Sequence, residues 1–147
     1  ELGGFDNALP RFYEITLAAF SEAFAYTPVD WPTFQELYLP IAPLIDPSLV
    51  VIARSPQGDI AGYCFAIPDR LNPTRKEFIV KTLAVDPRWR ELGLGSWMVG
   101  NVHSRAHTQG LTGGGIHALM WTGSHSQKIS AHAGTVIRQY ALFGKDL

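Results

Sequence analysis

The stretch VDPRWRELGLGSWM, residues 85–98, limits what this chain can become more than any other. An apolar run enters it, Pro87 turns it, and Arg90, Gly93 and Gly95 stand just ahead of residues that favour helix. Successive main-chain N–H groups in a turn that opens a helix make an anion site, strengthened by the positive end of the helix dipole. Glycine lets the backbone approach phosphate oxygens and take φ values other residues avoid. Arg90 adds a fixed charge with donors that match phosphate, and Ser96 adds a hydroxyl in the first turn. The same glycines would also suit a strand-to-helix turn built only for packing. Spacing separates the phosphate designs. A Walker-type loop ends in Gly-Lys-Ser/Thr, but Gly95 is followed by Ser96 and Trp97. A dinucleotide fingerprint wants Gly or Ala where Met98 stands, and its first glycine directly at the strand end. Both fail.

The rest of the chain supplies the frame. Residues 10–24 carry an apolar helical stripe through Phe12, Ile15, Ala19, Phe20, Ala23 and Phe24, with Pro10 in the first turn. Asp30 is placed to cap a second helix through Leu39, and Pro40, Pro43 and Pro47 stop it. Residues 49–54 and 60–67 are β-rich runs around the turn Pro56-Gln57-Gly58-Asp59, which predicts a hairpin. A third strand is expected over 77–85, and a helix over 93–109 with Leu94, Trp97, Met98, Val102 and Ala106 on one side and Gly110 as its stop. A fourth strand over 115–121, a short helix over 124–132 and a last strand over 135–143 complete the order. This is a mixed α/β (α+β) sheet in one domain, residues 1–147.

Composition narrows the class. With 46% hydrophobic and 17% charged residues, disorder is excluded. A net charge of −1 without a basic tail argues against nucleic-acid or membrane-surface partners. Cys64 alone allows no internal disulfide and fits a reducing compartment, so a soluble, cytoplasmic protein is expected.

Val85-x-Pro87-x-x-Arg90-x-x-Gly93-Leu94-Gly95 resembles the acetyl-coenzyme A loop of the GCN5-related N-acetyltransferases, whose signature is Gln/Arg-x-x-Gly-x-Gly/Ala. The preceding FIVKTLAV, the following helix and the element order extend the resemblance over nearly the whole chain. It implies a mostly antiparallel central sheet flanked by helices, and direct attack of a primary amine on acetyl-CoA. It also implies that Leu83, Ala84 and Val85 hold pantetheine through the strand backbone. The pyrophosphate then falls to Arg90, Glu91, Leu92, Gly93, Leu94, Gly95 and Ser96. No metal is implied. The acceptor is expected to be a small-molecule or peptide amine entering beside Trp31, Phe34 and Tyr38, unless these only pack the helices on the sheet.

The chain departs from the family pattern in places. The opening ELGGFDN is a poor first strand, which is either missing or lies upstream in a longer, tandem protein; a homodimer is the other expected assembly. Gly123 stands where an asparagine often contacts pantetheine, leaving Ser124 or Ser126 as the polar substitute. Ser130 stands where a tyrosine often protonates the leaving thiolate, with Tyr140 as the alternative acid. Ile79 occupies the glutamate-base position of the histone-type branch, and Glu77, on the same strand face, is the substitute. These losses keep open a coenzyme-binding but non-catalytic domain. His103 and His107 lack the Glu of an HExxH metal motif, His117, His125 and His132 have no cysteine or carboxylate cluster, and Cys64 reads as a buried small hydrophobe.

Overall fold

The computed structural model describes residues 5–118, 120 and 122–144. Helix α1 spans Phe5–Phe20 and buries Leu9, Phe12 and Ile15 against the sheet. It begins five residues before the position expected from Pro10 and ends at Phe20. Pro10 removes one donor from the helix, and burial of the apolar stripe holds the ladder together on both sides of it. Phe24 lies beyond the helix and is exposed. Helix α2, Trp31–Tyr38, is capped as expected: Asp30 accepts from Thr33 N–H at 3.0 Å.

Strands β1 (Val50–Arg54) and β2 (Ile60–Pro68) form the antiparallel hairpin, and β3 (Glu77–Val85) pairs antiparallel with β2. Helix α3 (Leu94–Thr108) crosses back to β4 (Gly114–His117), which lies parallel to β3. Sheet order is β1-β2-β3-β4, and helix α4 (His125–Ala131) follows. Two cores sandwich the sheet. On one face Met98, Val99, Val102 and Ala106 of α3 meet Val51, Cys64, Phe78 and Val80. On the other, Phe12 and Ile15 of α1 meet Val50, Tyr63, Phe65 and Ala84. Trp97, expected on the buried side of α3, is 53% exposed because Val99 takes that face. Gly110 ends α3 at φ 84°, with Leu111 N–H returning to Ala106 C=O at 3.0 Å.

Two expectations at the C-terminal end are corrected. Strand β4 ends at His117 rather than running to 121, and Leu119 and Trp121 lie outside the described residues. The last strand, expected over 135–143, does not form: Val136, Ile137, Tyr140, Leu142 and Phe143 are 68–94% exposed. Alternation alone does not make a strand. It needs a partner edge, and the four-residue β4 offers little of one. The described residues begin with α1, so no strand precedes that helix among them. None of their helices is long and apolar enough to cross a membrane.

Candidate functional site

The site begins with a slip in register. Phe65 of β2 faces Thr82, but its neighbour Ala66 faces Val80, leaving Lys81 as an extra residue on β3. Such a bulge bends its strand and disrupts the ladder locally. Pairing between β3 and β4 stops at the same place: it runs from Glu77↔Gly114 to Val80↔His117, with Ala118 N–H closing onto Val80 C=O at 3.1 Å. Among the described residues, none pairs as a strand with residues 81–85 on that side. Asp86 N–H bonds Ala61 C=O at 2.9 Å on the β2 side, so strand alternation turns the main-chain groups of Leu83 and Val85 to the open side. Between the parted strands lies a cleft of about 90 Å³, walled by residues 80–83, Val99 of α3, His117, and Ser126 and Ser130 of α4.

The loop that follows is pinned from below. Asp86, 5% exposed, accepts from Arg88 N–H at 3.0 Å and so caps the short 3-10 turn Pro87–Trp89. Its carboxylate also takes the Arg88 guanidinium at 2.7 Å and the Arg11 guanidinium at 2.5 Å. The hydrogen bonds from Arg88, followed by that from Arg11, hold this carboxyl well below the usual carboxylate range. Beyond the turn, Glu91 (φ 65°) and Gly93 (φ 75°) are both left-handed. Glu91 carries strain that a glycine would not.

The first bond of α3 runs from Trp97 N–H to Gly93 C=O at 3.0 Å, so the N–H groups of Leu94, Gly95 and Ser96 stand free of the helix ladder. Helices α2 and α4 have side-chain caps from Asp30 and Ser124; α3 has none. An uncapped positive helix end facing an open strand edge can hold an anion. Gly95 also serves packing, since a Cβ there would lie 2.8 Å from Ile129 Cδ1 of α4. Arg90 is exposed, and its Nη2 donates to Ala19 C=O at 3.1 Å, joining the loop to the end of α1.

The remaining expected site residues separate. Ser126 and Ser130 wall the cleft, whereas Ser124 is engaged as the cap of α4, accepting from Gln127 N–H at 3.2 Å. Gly123 precedes that cap at φ 85° and donates to Gln127 Oε1. Tyr140 is 68% exposed on the unpaired C-terminal segment and does not reach the cleft. Glu77 begins β3, where it pairs with Arg75 at 3.0 Å, and is likewise absent from the cleft wall.

Sequence reasoning passed over His117. Its Nδ1 lies 2.5 Å from Ser130 Oγ, and its Nε2 lies 2.9 Å from His103 Nε2. The sequence separations of 13 between His117 and Ser130 and of 14 between His103 and His117 carry no spacing signal; the crossover of α3 and the placement of α4 bring them together. Burial pushes both imidazoles down, and His103 lowers His117 further. His107 is exposed and takes no part. Among the described residues no group of three or more His, Cys, Asp or Glu could hold a metal ion.

The early aromatics mostly pack. Phe34 is 3% exposed and stacks on Tyr38 at 4.4 Å, with Tyr13 at 5.1 Å. Desolvation pushes the Cys64 thiol up to about 12, so it is no nucleophile at neutral pH.

No family model and no curated protein matches the sequence. Solved structures do. The fold matches an N-acetyltransferase of Staphylococcus aureus Mu50 at a TM-score of 0.67 and 13% identity, over 88% of this chain and 78% of that one. It matches a GNAT superfamily phosphinothricin acetyltransferase of Sinorhizobium meliloti, solved in complex with AcCoA, at a TM-score of 0.57 and 20% identity, over 71% and 57%. A GCN5-related N-acetyltransferase of Sphaerobacter thermophilus matches at 0.60 and 17% identity over 76% of this chain, which spans 32% of that protein's length. The bulge at Lys81, the parting of β3 from β4 and the uncapped α3 sit within this shared architecture: the chain has the fold of the GCN5-related N-acetyltransferases.

Proposed function

We propose that this chain binds acetyl-CoA and transfers its acetyl group to a primary amine by direct attack. The observation that carries this reading is the end of β3–β4 pairing at Val80 and His117, which opens a strand edge towards the uncapped end of α3. The residues fit the ligand. The free edge at Leu83 and Val85, on either side of Ala84, offers main-chain donors and acceptors to the two amides of a pantetheine arm. Within the 90–96 loop, the N–H groups of Leu94, Gly95 and Ser96 offer donors to pyrophosphate, with Ser126 as a polar side chain on the cleft wall. When bound, acetyl-CoA supplies the activated acyl group.

The chain's part is to fix the acyl carbonyl before the amine, keep water out and move protons. The amine enters from the α1/α2 side, beside the aromatic cluster of Trp31, Phe34 and Tyr38. A soluble cytoplasmic enzyme acting on a small-molecule or peptide amine, as a homodimer or half of a tandem protein, completes the reading. Calorimetry with acetyl-CoA tests the binding, and thiol release over a panel of amines tests the transfer. No heat and no thermal shift at millimolar acetyl-CoA would sink it.

One observation favours a second reading. Tyr140 and Glu77 both lie away from the cleft. A domain that binds the coenzyme but releases no thiol with any amine of the panel is a binding module.

A further inference from the structure

The geometry points to His117, with His103 behind it, as the residue that turns Ser130 into a proton donor aimed into the cleft. This deepens the acetyl-transfer reading and rests on it. A serine hydroxyl is a weak acid, and alone it makes a poor substitute for a tyrosine. Here it is not alone.

Donor counting sets the direction of the chain. A hydroxyl has one hydrogen, and a thioether sulfur can only accept. Ser130 Oγ donates to Met120 Sδ at 3.4 Å, which uses that hydrogen. With that hydrogen directed at sulfur, the 2.5 Å contact is assigned as donated by His117 Nδ1–H, and the tautomer measurement below decides between this order and its reverse. A neutral imidazole protonated on Nδ1 has a bare Nε2, so the 2.9 Å contact is donated by His103 Nε2–H. The three side chains form one line of donors that ends at a sulfur in the cleft.

The surroundings keep this order. Burial favours the neutral form of both imidazoles at neutral pH. From β3, His117 is faced by Lys81, exposed at the cleft rim, and His103 by the edge of Phe78 at 4.9 Å. From α4 come the neutral Ser126 and Ser130. Glu77, at the far end of the β3–β4 pairing, is engaged by Arg75. Gly115 admits the His103 ring: a Cβ there would lie 2.7 Å from His103 Cε1 and 2.6 Å from the Phe78 ring. A side chain at 115 would push His103 away from His117.

For proton delivery the leaving sulfur would stand within reach of Ser130 Oγ, on the cleft wall that Met120 also lines. The N–C bond forms, and the C–S bond breaks with its electron pair on sulfur. Sulfur takes the Ser130 hydrogen, and Ser130 takes the Nδ1 hydrogen of His117. His117 takes the Nε2 hydrogen of His103, whose Nδ1 receives from solvent the proton that the amine nitrogen sheds. One proton leaves nitrogen and one reaches sulfur. Ser130 is the catalytic residue, and the two histidines position and resupply it.

The test uses the whole chain and coenzyme A itself. The thiolate absorbance of bound coenzyme A is followed against pH for the unaltered protein, Ser130→Ala, His117→Asn and the double variant. The bound thiol is expected to ionise at lower pH in the unaltered protein than in either single variant, and the double variant is expected to match Ser130→Ala. Identical titrations in all four, or shifts that add, overturn the inference. With a working amine, either single variant is expected to lower kcat by about 10²-fold with KM for acetyl-CoA unchanged; an unchanged kcat overturns it too. Nitrogen NMR of the unaltered protein, which needs no variant to fold, is expected to show His117 as the Nδ1–H tautomer, and the Nε2–H tautomer overturns the chain. Coenzyme A that gives no heat by calorimetry overturns the acetyl-transfer reading as well. Binding with an unperturbed thiol overturns the relay alone.

Discussion

Arg11 of α1 donates to Asp86, the residue after β3, at 2.5 Å across a sequence separation of 75. This ties the entrance of the loop between β3 and α3 to the opposite face of the sheet, and Arg11 Nε adds a second tie to Ile60 C=O at 3.2 Å. Asp86→Asn is expected to cost about 2 kcal/mol at pH 7, since hydrogen bonds to a charged group are lost at a buried position. The sign with pH follows from a depressed carboxyl: its contribution is complete above the ordinary carboxylate range and is lost as pH falls through the folded-state value. Chemical denaturation of both proteins is therefore expected to show a gap that is constant above pH 5 and narrows below about pH 4. A gap that widens on acidification contradicts this account.

The two loop glycines are needed for different reasons. Gly93→Ala puts a side chain at φ 75° and is expected to cost about 1 kcal/mol through backbone strain alone, because nothing lies within 4 Å of its Cβ. Gly95→Ala drives a methyl against Ile129 and is expected to cost about 1–3 kcal/mol through overpacking. Adding Ile129→Val to Gly95→Ala should return much of that stability in thermal melts. Acetyl-CoA affinity should stay reduced if the phosphate also approaches Gly95, and recover fully if the glycine serves packing alone.

Tyr140→Phe is expected to change kcat by less than about twofold and stability by less than about 0.5 kcal/mol, as befits an exposed site. A drop of tenfold or more in thiol release would show that the C-terminal segment folds over the cleft during turnover.

Cys64, with no exposed surface and a thiol pushed up to about 12 by desolvation, is expected to resist thiol reagents at pH 8 in the native protein. Labelling should appear only with denaturant and track the unfolding transition. Fast native labelling would mean that the face between the sheet and α3 opens readily.

Where local chemistry decides, the elements follow from the sequence. The Asp30 cap, the Pro56-Gln57-Gly58-Asp59 turn, the bounds of β3 and the Gly110 stop each depend on residues a few positions apart. The left-handed Gly93 at the start of α3 is of the same kind, so the turn from β3 into that helix was legible as local structure. The length of α1 was not, because Pro10 speaks for one hydrogen bond and burial of Leu9, Phe12 and Ile15 speaks for the whole helix.

The 135–143 run alternates as a strand should, yet a strand exists only against an edge, and β4 stops at His117. The bulge at Lys81 is a mismatch between two strands, so neither strand's sequence contains it. The His103–His117–Ser130 line needs α3 to cross the sheet and α4 to return over β4. By itself the sequence determined the strand, the loop and the helix start, because those are local turns and caps. Only the tertiary structure decided where the sheet parts and which side chains face the gap, because those depend on groups that packing joins from distant parts of the chain.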